Sequence, residues 1–316
     1  MKLDVVVPTY NRSQLLKRTI LSLLKAPIPS GLDVTIIIVD NNSKDDTESM
    51  VREIQSQATR NLVYVKEMRQ SCSYARNSGI GAGNGDIIGF IDDDEEIDEH
   101  WYEVVAREFS DDTVQFIGGP YLPNWAAPAP SWLPPGYHAA IGVVDPKPRS
   151  PFGGDFQGNL MGGNAVIRRS AFNRVGTYST KLSRSGKGLL SEEDAEFYRR
   201  LRGADLYGMY VPDLIIHHYI PAERLTRKYH RRWSYWRGVS QGVADKDFKE
   251  SVAYTLGIPR YRIGRAVTGL ASLPRHLASS KTAGQAFADE LAVWDLLGFI
   301  HGKHFIRIDK YYAENA

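Results

Sequence analysis

Cysteine is almost missing from this chain: Cys72 is the single thiol in 316 residues. That excludes a disulfide scaffold and any cysteine-rich metal site, and it fits a reducing compartment. No apolar run approaches the roughly 20 residues that a membrane-spanning helix needs. Met1-Lys2-Leu3-Asp4 leads straight toward an apolar strand without a secretory pattern, so a soluble cytoplasmic protein is expected. A dominant charge is missing too. Lys and Arg number 39 against 37 Asp and Glu, a formal net of +2, and no global field argues for nucleic acid. There are no internal repeats. The first strand is followed by Pro8-Thr9-Tyr10-Asn11, not by the G-x-G-x-x-G of a dinucleotide-binding oxidoreductase. The glycine cluster from Gly79 to Gly85 follows a helix and lacks the third glycine in register. The basic glycine-rich loop with which a nucleotidyltransferase holds a triphosphate is also absent. What remains is an ordinary globular composition, 42% hydrophobic and 24% charged, in a chain long enough to bury a full core.

One stretch concentrates the chemistry: Ile87-Ile88-Gly89-Phe90-Ile91-Asp92-Asp93-Asp94-Glu95-Glu96. Its apolar half reads as a short buried strand. Its acidic half cannot be core while unpaired, because a lone buried carboxylate is too costly. The strand is therefore expected to end where the acids begin, at a surface or a cleft. Side chains alternate along an extended chain, so Asp92 and Asp94 are expected to point the same way. Convergent carboxylates repel unless a cation lies between them. Hard oxygen ligands suit Mg²⁺ or Mn²⁺, which also bind phosphate oxygens. The pattern points to a divalent metal and a diphosphate at the carboxyl end of a central strand. The structural alternative is a solvated acidic turn that caps the next helix.

The rest of the chain supplies the setting. Residues 3–7 form an apolar strand, and Ser13 is placed to cap a helix with Leu16, Ile20, Leu23 and Leu24 on one face. Residues 34–39 form a second strand running into Asp40-Asn41-Asn42-Ser43. A helix through Met50, Val51 and Ile54, a strand at 62–65 and a small-residue helix at 74–82 follow. After the acids come a helix with Trp101, Val104, Val105 and Phe109, then a strand at 114–119. This alternation predicts right-handed βαβ crossovers: an α/β fold with a Rossmann-like, mostly parallel central sheet flanked by helices. Ligands bind such sheets beyond the carboxyl ends of the strands, where Thr9, Asp40 and Asp92 all lie.

Residues 120–158 are rich in Pro, Gly and Trp, as binding loops often are. Trp125 and Trp132 there are platforms for sugar faces or cover for a satellite core. Gly162-Gly163-Asn164 precedes another strand. Ser191-Glu192-Glu193-Asp194 opens a helix, with Ser191 as N-cap and Asp194 at the third helical position. His217-His218 follows a strand. The stretch from 223 to 238 is basic and aromatic, with Arg224, Arg227, Arg231, Trp233, Trp236 and Arg237. It reads as a solvated basic helix or as a contact for anionic lipid. Gly257, Gly264, Gly269 and Gly284 are expected to divide the tail into several short helices.

In this order the motifs resemble the family 2 glycosyltransferases, which have the GT-A fold; the resemblance covers residues 3–240. Val6-Val7-Pro8-Thr9-Tyr10-Asn11-Arg12 looks like the opening strand and nucleotide loop. Val39-Asp40-Asn41-Asn42-Ser43 looks like the second, where the Asp reads the base. Ala75-Arg76-Asn77 resembles the helix that follows, Phe90-Ile91-Asp92-Asp93-Asp94 the DXD motif, and Gly162-Gly163-Asn164 the acceptor-side turn. Glu193-Asp194 looks like the pair that holds the catalytic base. The resemblance implies an inverting transferase that moves a sugar from a UDP- or dTDP-linked donor to an acceptor hydroxyl. It implies donor contacts from Pro8, Thr9, Tyr10, Asn11, Arg12, Asp40, Arg76, Asp92 and Asp93, and acceptor contacts from Gly163, Asn164, Glu193 and Trp132. Asp194 would be the base, and Asp94 would hold Mn²⁺ or Mg²⁺ together with His217 or His218, His217 being preferred. The chemistry agrees. A departing diphosphate needs neutralising charge, and an attacking hydroxyl needs a carboxylate within hydrogen-bond reach. The other readings are a non-catalytic nucleotide-sugar or glycan-binding module on the same fold, and a nucleotidyltransferase.

The expected organisation is a catalytic domain over 1–245, with a nucleotide-binding half (1–119) and an acceptor-binding half (120–245). A helical C-terminal extension covers 246–316. Expected partners are a nucleotide-sugar donor and a glycan or lipid-linked acceptor, in polysaccharide or cell-surface glycan synthesis, and no nucleic acid. Peripheral contact with the inner membrane face is expected through 224–237 or the extension.

Overall fold

The computed structural model describes residues 1–133, 138–180, 192–247, 249–277 and 283–307. The chain begins with β1 (Lys2–Thr9), α1 (Ser13–Lys25), β2 (Asp33–Asp40), α2 (Thr47–Gln57), β3 (Asn61–Lys66) and α3 (Cys72–Ala82). It continues with β4 (Ile87–Phe90), β5 (Glu95–Ile97), α4 (Trp101–Glu108), β6 (Phe116–Gly118), β7 (Tyr121–Trp125), β8 (Ser150–Pro151) and β9 (Ala165–Arg168). Then come α5 (Arg169–Val175), α6 (Glu193–Gly203), β10 (Gly208–Tyr210), β11 (Ile216–Ile220) and α7 (Arg227–Ala244). The last elements are β12 (Tyr254–Thr255), β13 (Ile258–Pro259), α8 (Arg260–Leu277) and α9 (Ala283–His304).

The apolar runs of β1, β2 and β4 have no polar face, so they need cover on both sides. They lie in the middle of an eight-stranded sheet ordered β3-β2-β1-β4-β9-β6-β10-β8. The β1–β2, β2–β3, β1–β4 and β6–β10 pairs are parallel, while β9 runs antiparallel between β4 and β6. The sheet is thus mostly parallel, as the strand–helix alternation predicts. One face packs Val5, Val7 and Ile36 against Leu16, Ile20, Leu23 and Trp101. The other packs Val6, Ile37 and Phe90 against Ala75, Phe172 and Phe197. A smaller sheet, β5-β11-β7, follows the acids.

Two local expectations fail. Ser13 does not cap α1: Arg12 is the N-cap residue, and the Ser13 N–H donates to Asp45 Oδ2 at 3.1 Å. The acidic turn of the next loop reaches back and replaces the local cap. The tail is not a set of short helices either. Gly264 and Gly269 lie inside α8 and Gly284 inside α9. A Cβ on Gly269 would stand 3.0 Å from the Asp289 carbonyl oxygen, so this glycine serves close packing rather than a helix end.

Of the described residues, those in Met1–Asn124, Val144–Ser183 and Glu193–Tyr219 form one compact unit. Those in Trp125–Val143, Arg184–Glu192 and Ile220–Ala316 form a second. The boundary falls after Tyr219 rather than at 245, because α7 packs with the tail. On α7, a Cβ at Gly238 or Gly242 would collide with the carbonyl oxygens of Asp295 and Phe299 on α9. On α9, Gly298 and Gly302 meet the carbonyls of Tyr235 and Val239 in the same way. Paired glycines four residues apart on both helices bring the two backbones into contact. Arg231 pairs with Glu290, and Arg237 and Arg262 both pair with Asp295. Within 224–237, Arg231 and Arg237 are thus paired with carboxylates of α9, and Arg227 packs on the rings of Trp132 and Phe287.

Candidate active site

The site lies in the first unit, where strands end on one edge of the sheet. β1 and β2 finish level, with Thr9 opposite Asp40. Past β4, the Ile91 N–H still donates to Val6 O at 3.2 Å. The chain then turns: Glu95 N–H donates to Asp92 O at 3.2 Å, and Asp92 N–H to Glu95 Oε2 at 2.8 Å. This turn cancels the expected alternation. Asp93 and Asp94, not Asp92 and Asp94, share a partner. Arg12 Nη1 donates to Asp93 Oδ1 at 2.9 Å and to Asp94 Oδ2 at 3.1 Å, while Thr9 Oγ1 donates to Asp93 Oδ2 at 2.9 Å. Asp93, Asp94 and Glu95 are buried, which their hydrogen bonds make tolerable. Burial pushes the Asp93 carboxyl up to about 6 against the pull of Arg12. Burial, then Asp92 and Asp94, push Glu95 well above the usual carboxyl range.

Asp92 turns instead to Arg76, which stands at the centre of the site. Arg76 Nη2 donates to Asp92 Oδ1 at 3.2 Å, and Nη1 to Asp194 Oδ1 at 2.6 Å. The Gly162 N–H holds the other oxygen of Asp194 at 3.1 Å. A Cβ on Gly162 would stand 2.5 Å from both Arg76 Nη2 and Asp194 Oδ1, so no side chain fits there. Arg76 is 3% exposed at its side chain, against 37% for Asp92 and 33% for Asp194. The cation forms a dry floor beneath two carboxylates that reach solvent. Burial alone would lower the Arg76 pKa, but Asp194 and Asp92 hold it above its ordinary value. Tyr178 places its ring 5.2 Å from the guanidinium. No motif around Tyr178 marks this role.

Other expected site residues take different positions. Asp40 is almost fully buried, accepting from Ser43 N–H at 2.8 Å and Tyr64 OH at 2.7 Å. Pro8 is buried in β1, whereas Tyr10, Asn11 and Arg12 are exposed. Asn11 has a left-handed backbone, φ 52°, and its Oδ1 accepts from Lys44 N–H at 2.6 Å, which braces the loop. Asn164 is fully buried and braces the scaffold. It accepts from Trp101 Nε1 at 3.0 Å and donates to Leu214 O at 2.7 Å. Gly163 lies on Glu95, whose carboxylate a Cβ would strike. Glu193 is buried beside Asp194 at the start of α6, where Asp194 is the second residue. Ser191 and the stretch 183–188 lie outside the described residues. Trp132 belongs to the second unit, packed edge-on against His230 and Phe287 with centroids 5.5 and 5.1 Å away.

The two histidines lie on opposite sides of their strand. β11 pairs antiparallel with β5, setting His218 opposite Glu95 and His217 opposite Glu96. Side chains alternate across a strand, so one His turns inward and the other outward. His218 is buried, with Nε2 3.7 Å from Asp94 Oδ1. His217 faces Asp98 at 3.9 Å and is 43% exposed. Among the described residues no group of three or more His, Cys, Asp or Glu gathers as a metal cage. The Asp94–His218 pair nonetheless suits an ion that takes its remaining ligands from phosphate and water, the habit of Mg²⁺ and Mn²⁺.

The family model of glycosyl transferase family 2 matches residues 4–176, more than half of the chain. The chain is a family 2 glycosyl transferase. This transferase is 22% identical over 275 residues to the succinoglycan biosynthesis protein ExoM of Rhizobium meliloti, covering 85% of its own length and 84% of the relative. It is 26% identical over 252 residues to the glucosyl-dolichyl phosphate glucuronosyltransferase of Haloferax volcanii, 78% of each chain. Among solved structures, the mannosyltransferase PcManGT of Pyrobaculum calidifontis, in complex with GDP-Man and Mn²⁺, superposes with a TM-score of 0.62. It has 18% identity, over 96% of the transferase and 88% of that chain. TarS 1-349 of S. aureus in complex with UDP gives 0.52 at 14% identity, over 100% and 92%. The fold is GT-A.

Proposed function

We propose that this transferase moves a sugar from a nucleotide-diphosphate donor to an acceptor hydroxyl with inversion, building a polysaccharide or a lipid-linked glycan. One observation carries the reading: a single buried guanidinium, Arg76, bonds Asp92 of the acidic turn and Asp194 of the α6 start. A donor-side acid and an acceptor-side acid are thus fixed in one frame. The relatives named for succinoglycan and for a dolichyl phosphate acceptor support the product class. The GDP-Man and UDP complexes support a nucleotide-linked donor.

On this reading the Thr9–Arg12 loop and Asp40 line the nucleotide site, with UDP or dTDP the donor carrier. Asp92 accepts from the ribose. Mn²⁺ or Mg²⁺, held by Asp94 and His218, would supply positive charge beside the departing diphosphate. Thr9 and Arg12 fix Asp93 and keep the acid turn closed. Asp194 takes the proton of the acceptor hydroxyl as its oxygen bonds the anomeric carbon and the bond to the diphosphate breaks. Arg76 and the Gly162 N–H fix which lone pair of Asp194 faces the acceptor.

Asp194→Asn tests the assignment. Donor binding should stay near wild type and melting should fall only moderately, because the buried Arg76 keeps Asp92 as its ionic partner, while transfer per folded molecule falls by about 10²–10⁴-fold. Substantial residual turnover of the acceptor would move the base role to Glu193. A full panel of nucleotide-sugars yielding no product would favour a binding module instead.

A further inference from the structure

We infer that the outward face of α8, with the β12–β13 turn beside it, docks on an anionic lipid bilayer. The charge of the chain is divided unevenly. Residues 220–316 carry sixteen Lys and Arg against nine Asp and Glu, a net of +7, whereas residues 1–219 carry 23 against 28, a net of −5. Such asymmetry within a near-neutral chain marks a surface for an acidic partner. Within the basic part, α8 stands out. Its sequence contains Arg260, Arg262, Arg265 and Arg275 and no Asp or Glu.

The inward side of α8 is occupied. Arg262 is buried and donates to Asp295 at 2.6 Å, and Ala266 and Gly269 are buried with it. A helix lying on its own protein normally turns charged residues outward. The outward side of α8 instead presents Gly264, Val267, Thr268, Ala271 and Pro274, uncharged residues, with Leu270 on one flank and Arg265 on the other. Val267 is 60% exposed and Leu270 55%. At the N-terminal end, Leu256 occupies the tip of the β12–β13 turn in a left-handed conformation, φ 50°, and is 87% exposed. Arg260 Nε donates to Thr255 Oγ1 at 3.0 Å, tying that turn to the helix.

A protruding leucine, an exposed apolar stripe and flanking arginines, with Glu250 the acid beside them through its bond from Tyr261 OH at 3.1 Å, fit the boundary between acyl chains and anionic headgroups. An acidic protein would satisfy the arginines but would leave the apolar stripe facing water unless it supplied a matching groove. A fluid bilayer conforms to the stripe. This inference does not rest on the catalytic reading, because the residues it names take no part in that chemistry.

Flotation of the full chain with phosphatidylglycerol–phosphatidylcholine vesicles tests it. Wild type is expected to float with the mixed vesicles, to float less with phosphatidylcholine alone, and to be partly released by salt. Leu256→Asn, Val267→Asn and Leu270→Asn combined should lower the partition coefficient by at least about tenfold. Arg260→Gln and Arg265→Gln should each lower it roughly fivefold. All variants should keep the wild-type melting temperature, since the altered side chains are exposed and Asn suits the left-handed position. Failure of wild type to float, or equal flotation of the triple variant, would overturn the proposal. So would a wild-type dimer in light scattering that the triple variant converts to monomer, because a second copy would then cover the face.

Discussion

Arg76→Met separates what Arg76 does for folding from what it does for transfer. Methionine fills a similar volume, so no large cavity opens. Breaking a buried ion pair costs about 3–5 kcal/mol when the surviving charge stays buried. Here the survivors, Asp92 and Asp194, are 37% and 33% exposed and regain water. The guanidinium, at 3% exposure and with its Nε lacking a hydrogen bond, no longer has to be desolvated. These effects oppose each other, and the net change in unfolding free energy should lie within about 1–2 kcal/mol of zero. Transfer should respond far more. Asp194 loses its 2.6 Å partner and, among the described residues, keeps the 3.1 Å bond from the Gly162 N–H. A displacement of about 1 Å at a reacting group costs on the order of 10²-fold, so kcat should fall by about 10²–10³. Urea unfolding gives the first quantity, and initial rates at saturating donor give the second. The double variant with Asp194→Asn should be little worse than Asp194→Asn alone, since both changes disable one unit. A wild-type rate for Arg76→Met, a loss matched by its unfolded fraction, or strict additivity with Asp194→Asn would refute the reasoning.

Asp94→Ala should abolish Mn²⁺-dependent stabilisation by nucleotide in a thermal-shift assay, and His218→Ala should weaken it while His217→Ala leaves it close to wild type; the reverse order for the histidines would remove His218 from the site. His230 in the second unit is fully buried, and burial lowers its pKa to about 4, with the Arg224 backbone opposing. The unfolded chain therefore binds a proton that the native one refuses, and stability falls as pH drops from about 6.5 toward 4, by up to about 2–3 kcal/mol. Between pH 7.5 and 4.5 the urea midpoint of wild type should fall relative to that of His230→Phe, and a constant difference would refute the assignment. Gly238→Ala should cost at least about 2 kcal/mol in urea unfolding, because its methyl group meets the Asp295 carbonyl on the facing helix; an unchanged midpoint would show that α7 and α9 separate freely.

The ends of the strands were legible because apolar runs break abruptly into polar residues at Thr9, Asp40 and Asp92. The acid motif was legible as composition but not as geometry. A turn closed by hydrogen bonds between Asp92 and Glu95 overrides a period of two, and no spacing rule announces it. The choice between His217 and His218 depends on parity in the β5–β11 pairing, a contact across more than a hundred residues. In the sequence Arg76 stands out as part of a helix motif. Its bond to Asp194 spans 118 residues and joins two segments that share no local pattern. The tail glycines misled for the opposite reason: a local cost to helix formation was offset by helix–helix contact that the sequence does not display.

The pairing of β1 with its neighbours makes the sheet a measuring device. Thr9 stands opposite Asp40, and Val6 opposite Phe90, in ladders without a bulge. The offset between the nucleotide loop and the acid turn is therefore set in whole residues, each a step of about 3.3 Å, and no loop adjustment can tune it continuously. Inserting one residue into β1 would turn Thr9 away from Asp93, and inserting two would restore its facing direction but carry the loop about 6.6 Å too far. Variation among such enzymes that preserves this geometry must accumulate in the loops beyond the strands, while the strands keep their lengths.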